Sequence, residues 1–235
     1  MKTLKLFGMA RALETQLESK QARELSFEER LAMLLEAEAL ERHNKRTTDR
    51  LKNAKLRLNA SVEDIKFKAG RGLDRSLLVS LATCDWLRDK RNLSIDGATG
   101  VGKSYLACAL ANHACKNGFT ALYLRAPLLF DDLAVARADG RYNKLLASIT
   151  KPNLIILDDF GLSTLTADAR RDMLEIMEQR YDNSSTIITS QFDRNLWHQL
   201  IGDPTLADAI LDRFVHNSYE IKLKGETMRG SKNKN

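Results

Sequence analysis

Hydrophobic positions follow two rhythms along this chain. Up to about residue 60 they recur at helical intervals among Leu, Ala, Glu, Lys and Arg, with no proline and no glycine after Gly8. These are good helix formers, and they predict an all-helical first domain over 1–60. Ser26 with Glu29 ahead of Leu31, Met33, Leu34 and Leu35 has the spacing of a capping box, so a helix should begin near Ser26. Further on, Leu51, Ala54 and Leu58 keep helical spacing while Arg42, Lys45, Arg46, Arg50, Lys52, Lys55 and Arg57 are opposed only by Asp49, which predicts a basic amphipathic helix. Such a helix is either a solvated face or an anion-binding one.

From Leu93 the rhythm changes to short apolar runs separated by helix-like stretches. The runs Leu93–Asp96, Ala121–Arg125, Leu154–Asp158, Thr186–Ser190 and Tyr219–Leu223 read as strands. A helical pattern before each later run requires crossover connections, so 61–235 is expected to be an α/β domain with a five-stranded, mostly parallel sheet flanked by helices. Pro127, Pro152 and Pro204 all fall at expected element boundaries.

Composition narrows the class. The 235 residues are 43% hydrophobic, ordinary for a globular protein, and the formal charge of +6 favours acidic partners such as nucleic acid. Cys84, Cys108 and Cys115 have no C-x-x-C spacing and read as buried small hydrophobes in a reducing compartment. No apolar run is long enough to span a membrane, and charges interrupt any signal-like core at the start, so a cytoplasmic protein without a membrane partner is expected.

The chemistry concentrates in two places. Gly97-Ala98-Thr99-Gly100-Val101-Gly102-Lys103-Ser104 fits G-x-x-x-x-G-K-[ST] without mismatch, after a strand and before the helix-like run from Tyr105. Residues Gly97 to Tyr105 are therefore expected to hold a nucleotide. Glycines turn backbone N–H groups toward phosphate, Lys103 reaches the outer phosphates, and the Ser104 hydroxyl is suited to Mg²⁺. The second place is Leu154–Leu157, which ends in Asp158-Asp159 as a Walker B strand does. Asp158 is expected to hold Mg²⁺ through its water shell, and Asp159 to polarise the attacking water.

Gln191, at the end of the Thr186–Ser190 strand, reads either as a phosphate or water sensor or as a hydrogen-bonded strand-end amide. Arg213, in a helical stretch before the last strand, reads either as a surface ion-pair partner or as an arginine finger entering a neighbouring subunit's site. His43, His113, His198 and His216 have no metal-ligand spacing, and the base-reading N-K-x-D and L-S-G-G-Q signatures are missing, which disfavours GTPases and transporter ATPases.

With these residues assembled, the chain resembles the IstB/DnaC family of AAA+ ATPases, and more closely its IstB branch, the ATP-binding helpers of bacterial insertion sequences. The likeness extends beyond the phosphate loop to Arg71-Gly72-Leu73-Asp74-Arg75, Leu157-Asp158-Asp159-Phe160-Gly161-Leu162, Thr189-Ser190-Gln191, Asp203 to Arg213 and Gly225-Glu226-Thr227-Met228-Arg229. The resemblance implies an AAA+ phosphate-loop fold, ATP as ligand, and a regulator of transposition. Such a regulator assembles with itself on double-stranded DNA, recruits and stimulates a cognate transposase, and hydrolyses ATP to disassemble or remodel the complex. It also implies DNA or transposase contact through the helical segment, with Arg42, Lys45, Arg46, Arg50 and Lys52 as its DNA-binding residues. A stretch from Leu128 to Ile149 corresponds to an extra helix of initiator relatives and carries Arg137, Arg141, Tyr142 and Lys144, also expected near DNA. The run after the last strand leaves no room for a helical lid, so Arg229 is a candidate nucleotide contact only in a form reduced from the wider AAA+ pattern. A DnaC-type helicase loader and a nucleotide-bound scaffold without turnover are the alternatives.

Overall fold

The computed structural model describes residues 3–67 and 70–228. The chain divides into two compact units, Met1–Lys52 and Asn53–Asn235.

In the first unit α1 (Phe7–Glu18) runs antiparallel to the first part of α2 (Phe27–Ala54), with a 3-10 turn at Gln21–Arg23 between them. The capping box forms as a reciprocal pair: the Glu29 amide donates to Ser26 Oγ at 3.2 Å and the Ser26 amide donates to Glu29 Oε2 at 2.8 Å. Glu38 closes the other end of the pair of helices. Its carboxylate accepts from the Gly8 and Met9 amides at 2.9 and 3.2 Å, placing negative charge on the open N-terminus of α1. The Arg42 guanidinium, with those amides, holds Glu38 below the usual carboxylate range. Helix α2 ends at Ala54, six residues short of the expected boundary at 60, because Lys55 takes a left-handed φ of 49°. Lys55, Arg57 and Leu58 therefore lie past the basic helix instead of on it.

The second unit runs α3 (Arg75–Ala82), α4 (Asp85–Arg88), β1 (Asn92–Gly97), α5 (Lys103–Lys116), β2 (Ala121–Arg125), α6 (Ala126–Ala138), α7 (Tyr142–Thr150), β3 (Leu154–Phe160), α8 (Ala167–Arg180), β4 (Ser185–Ser190), α9 (Trp197–Ile201), α10 (Pro204–Val215) and β5 (Ser218–Leu223). All five expected strands are present. They form one sheet in the order β2-β3-β4-β1-β5, every neighbouring pair parallel. Parallel pairing puts all strand C-termini on one edge, where the phosphate loop leaves β1 and the two acids end β3.

Side-chain alternation separates the two faces of β3. Ile155 and Leu157 join Ile188 in an apolar cluster with α6, α7, α8 and α10, around Phe160, Trp197 and Phe214. The Trp197 ring lies 5.1 Å from Phe160 and 5.6 Å from Phe214, centroid to centroid. The opposite face carries Ile156 and Asp158 toward α5, whose Leu106, Cys108, Leu110 and Cys115 are buried. Cys84, Cys108 and Cys115 are buried, and desolvation raises the first two above the usual thiol range. Side-chain caps start α8 at Thr166 and α10 at Asp203, the latter followed by Pro204 in the first turn. Among the described residues no helix is long and apolar enough to cross a membrane.

Candidate nucleotide site

The loop between β1 and α5 has the shape its glycines predict. Gly100 and Gly102 stand at φ 88° and 100°, a region closed to most side chains. Gly102 is the N-cap of α5 and no side chain caps that helix, so its first amides face the loop ready for an anion. Lys103 is buried, and its Nζ donates to the Gly97 and Ala98 carbonyls at 2.6 and 2.9 Å, lying across the loop.

Opposite the loop, β3 breaks register with β4 between Leu157 and Phe160, and Asp159 sits in that bulge with φ 64°. The bulge aims two consecutive carboxylates into different surroundings. Asp158 is fully buried. It accepts from Ser104 Oγ at 2.8 and 3.0 Å, from Thr189 Oγ1 at 2.5 Å, and from the Tyr123 hydroxyl. Burial, then the Asp158 carboxylate, raises the Tyr123 phenol and keeps it a donor. Asp159 is only half-buried. Its amide donates to Thr189 Oγ1 at 3.1 Å, and its carboxylate accepts from Arg125 Nε and Nη2 at 3.3 and 3.2 Å. Arg57 reaches both acids, 3.7 Å from Asp158 and 3.9 Å from Asp159.

Lys103, Ser104, Asp158 and Asp159 thus meet at one edge of the sheet. Gln191, immediately past β4, stands half-buried on that same edge, and Tyr105 follows in the first turn of α5. Arg213 does not join them. It lies near the end of α10, ion-paired with Glu178 of α8 and donating to the Ala209 carbonyl at 2.9 Å. The Asn92 side chain at the start of β1 donates to the neighbouring Phe214 carbonyl at 3.1 Å, which puts this part of α10 at the strand N-termini, across the sheet from the phosphate loop. Arg229 lies outside the described residues.

The expected DNA-facing residues are dispersed. On α2, Arg42 pairs with Glu38 and Arg50 donates to Thr47 Oγ1, whereas Lys45, Arg46 and Lys52 are exposed. Arg137 pairs with the buried Asp172 and stacks over Tyr142 at 4.6 Å, Arg141 pairs with Asp139, and Lys144 is exposed. Tyr123, Thr189, Arg125 and Arg57 are the site residues that the sequence pattern did not single out for the carboxylates. The signal for two of them is the period-2 alternation of β2, which puts Tyr123 and Arg125 in register with Ile156 and Asp158 once those strands are known to be neighbours.

The donor set fits a magnesium nucleotide. Ser104 and Asp158 supply adjacent hydroxyl and carboxylate oxygens, the hard ligands such an ion takes. Among the described residues no group of three His, Cys, Asp or Glu side chains forms a separate metal cluster.

Residues 1–235 match the family model described as IstB-like ATP binding protein. An insertion sequence ATP-binding protein of Sinorhizobium fredii is 48% identical over 229 residues, 97% of this chain and 94% of the relative. One from Pseudomonas fluorescens is 46% identical over 189 residues, 80% of this chain and 82% of its own length. Among solved structures, DnaI superposes with a TM-score of 0.61 at 26% identity, covering 73% of this chain and 91% of that one. The DnaC helicase loader gives 0.59 at 22% identity over 73% of this chain and 100% of that one, and AMPPCP-bound DnaA from Aquifex aeolicus 0.59 at 21% over 74% and 52%. The fold is the AAA+ phosphate-loop fold.

Proposed function

We propose, from the premise that this chain belongs to the family of IstB-like ATP-binding proteins, that it is an ATPase that regulates transposition by assembling on double-stranded DNA. Bound ATP joins successive copies, the assembly recruits and stimulates a cognate transposase, and hydrolysis disassembles or remodels it. The observation that carries this reading is the split of the hydrolytic set. Lys103, Ser104, Asp158 and Asp159 share the C-terminal edge of the sheet, while Arg213 stands at the N-terminal edge, ion-paired with Glu178 and away from those four residues. An arginine so placed suits a neighbouring copy's site, and such fingers contribute about 10³–10⁵ in rate in related hydrolases.

In this reading the loop amides and Lys103 hold the phosphates, and Ser104 and Asp158 hold Mg²⁺, which when bound supplies positive charge against the phosphate oxygens. Asp159, less buried and held by Arg125 and Arg57, takes a proton from the attacking water. Gln191, just past β4 on the same edge of the sheet, serves as the sensor. The names of the relatives, insertion sequence ATP-binding proteins, support transposition as the setting. The exposed basic residues of α2 support duplex DNA as the partner.

The test is duplex binding with and without ATP. Wild type should bind long duplex cooperatively only with ATP, Lys103→Ala should not, and Asp159→Asn should form an assembly that persists. ATP-independent binding by Lys103→Ala at wild-type affinity would sink the coupling. Capture of a replicative helicase without cooperative duplex binding would decide for a helicase loader instead.

A further inference from the structure

Two parts of the chain outside the phosphate-loop motif press on the back of the loop. The Met228 amide donates to the Gly100 carbonyl at 2.9 Å, and Arg71 Nη2 donates to the Val101 carbonyl at 3.3 Å. The two are tied to each other, since the Lys224 amide donates to the Arg71 carbonyl at 2.8 Å. The guanidinium is anchored from behind by Nη1 on the Lys66 carbonyl at 2.7 Å, and the side chain is buried, with no hydrogen-bond partner for its Nε among the described residues. At Gly100 and Gly102 the brace lies so close that a side chain there would have to displace Thr227 or Arg71. A Cβ on Gly100 would stand 2.2 Å from Thr227 Oγ1, and one on Gly102 would stand 2.7 Å from Arg71 Nη2.

The consequence follows from peptide geometry. In a trans peptide the carbonyl of one residue and the N–H of the next point in opposite directions, and the described chain contains no cis bond. Pinning the Gly100 carbonyl to Met228 therefore turns the Val101 N–H away from the brace, and pinning the Val101 carbonyl to Arg71 does the same for the Gly102 N–H. Two consecutive amides are thus presented on the side of the loop that faces an anion.

We propose that Arg71 and the Lys224–Met228 segment are positioning elements for nucleotide, which fix the phosphate loop in its anion-binding conformation before the nucleotide arrives. The proposal rests on the nucleotide reading of the loop and deepens it. It gives a task to the Arg71-Gly72 and Gly225–Met228 motifs, which the hydrolytic machinery leaves unused. Neither element touches the nucleotide in this role. They act through the loop, so they set affinity for ATP and ADP alike and leave turnover at saturation nearly unchanged.

The test uses the full chain with a fluorescent methylanthraniloyl ATP or ADP and Mg²⁺. Met228→Pro removes the donating amide, whereas Met228→Ala keeps it. Arg71→Ala removes the guanidinium, and Arg71→Lys retains a cationic donor. Expected is a dissociation constant raised about tenfold by Met228→Pro and by Arg71→Ala, within about twofold of wild type for Met228→Ala, and partly recovered by Arg71→Lys. Melting without nucleotide should match within each pair. Equal affinity of Met228→Pro and Met228→Ala would overturn the proposal, as would affinity losses that simply track lowered nucleotide-free melting. If Met228→Pro does not fold, the Arg71 pair decides by the same comparison. A wild type that binds neither analogue would sink the nucleotide reading itself, a result distinct from wild-type binding with indifferent variants.

Discussion

Ser104 donates its hydroxyl to both oxygens of Asp158, at 2.8 and 3.0 Å, although the two residues are 54 positions apart. Thr189 and Tyr123 donate to the same carboxylate, so three hydroxyls converge on one buried acceptor. An amide at that position would turn an NH₂ toward donors. Asp158→Asn should therefore lower unfolding stability by roughly 1–3 kcal/mol and abolish Mg²⁺-dependent ATP hydrolysis. Ser104→Ala, which leaves two hydroxyls on the carboxylate, should cost less stability but also depress hydrolysis. Denaturant unfolding beside a phosphate-release assay reads both, and an Asp158→Asn protein as stable and active as wild type would contradict the network's role.

Arg213 at the far edge of the sheet makes a prediction about stoichiometry. Arg213→Ala should lower DNA-stimulated turnover by about 10³. Mixing it with Asp159→Asn should restore activity, because hybrid interfaces pair an intact carboxylate with an intact arginine. Turnover measured across mixing ratios should pass through a maximum, and a flat baseline at every ratio would exclude action between copies.

Asp96 precedes the phosphate loop and is buried, and its carboxyl is pushed up to about 7, by desolvation first and then by the charges of Glu220 and Asp193. The Arg194 amide, donating to Oδ2 at 3.2 Å, and the Arg194 charge oppose the rise without cancelling it. Unfolded, the group titrates near 3.9. Its contribution to stability is then whole below about pH 4 and is lost as pH rises through about 7, since the folded state holds the proton more tightly. Asp96→Asn keeps an acceptor for the Arg194 amide and removes the titration. It should be more stable than wild type above pH 7 by roughly 2–4 kcal/mol, with the difference vanishing toward pH 4. Thermal unfolding of both proteins across this range tests it, and parallel curves would refute it.

The exposed Lys45 and Arg46 of α2 carry the prediction for DNA. If each neutralises one duplex phosphate, Lys45→Ala and Arg46→Ala should each reduce the slope of log affinity against log salt by about 0.9, on duplexes of unrelated sequence. Fluorescence anisotropy over a salt series measures this. Unchanged slopes would move the DNA contact elsewhere on the chain.

Much of this was legible in the residues because local chemistry enforced it. The Gly97–Ser104 run needs its glycines wherever it occurs, the five strands are bounded by turn and helix signals, and Ser26 and Glu29 form the pair their spacing foretold. The long basic helix was overextended, since helical spacing continued through Leu58 and nothing local announced the left-handed turn at Lys55. The surroundings of the carboxylates were hidden for a different reason. Tyr123, Thr189 and Arg57 reach Asp158 only because β2 and β4 flank β3 and because the chain after α2 returns to it, and strand order is a property of the whole sheet. Similarly, Arg213 reads the same in sequence whether its helix ends at one edge of the sheet or the other.

The three buried thiols give the molecule a clock. Cys84, Cys108 and Cys115 are enclosed, and no disulfide ties them among the described residues. An alkylating reagent must wait for the chain to open before it reacts, so the pace of labelling reports how often the second unit breathes. Slower modification on adding nucleotide or duplex would register each ligand's grip without any engineered probe.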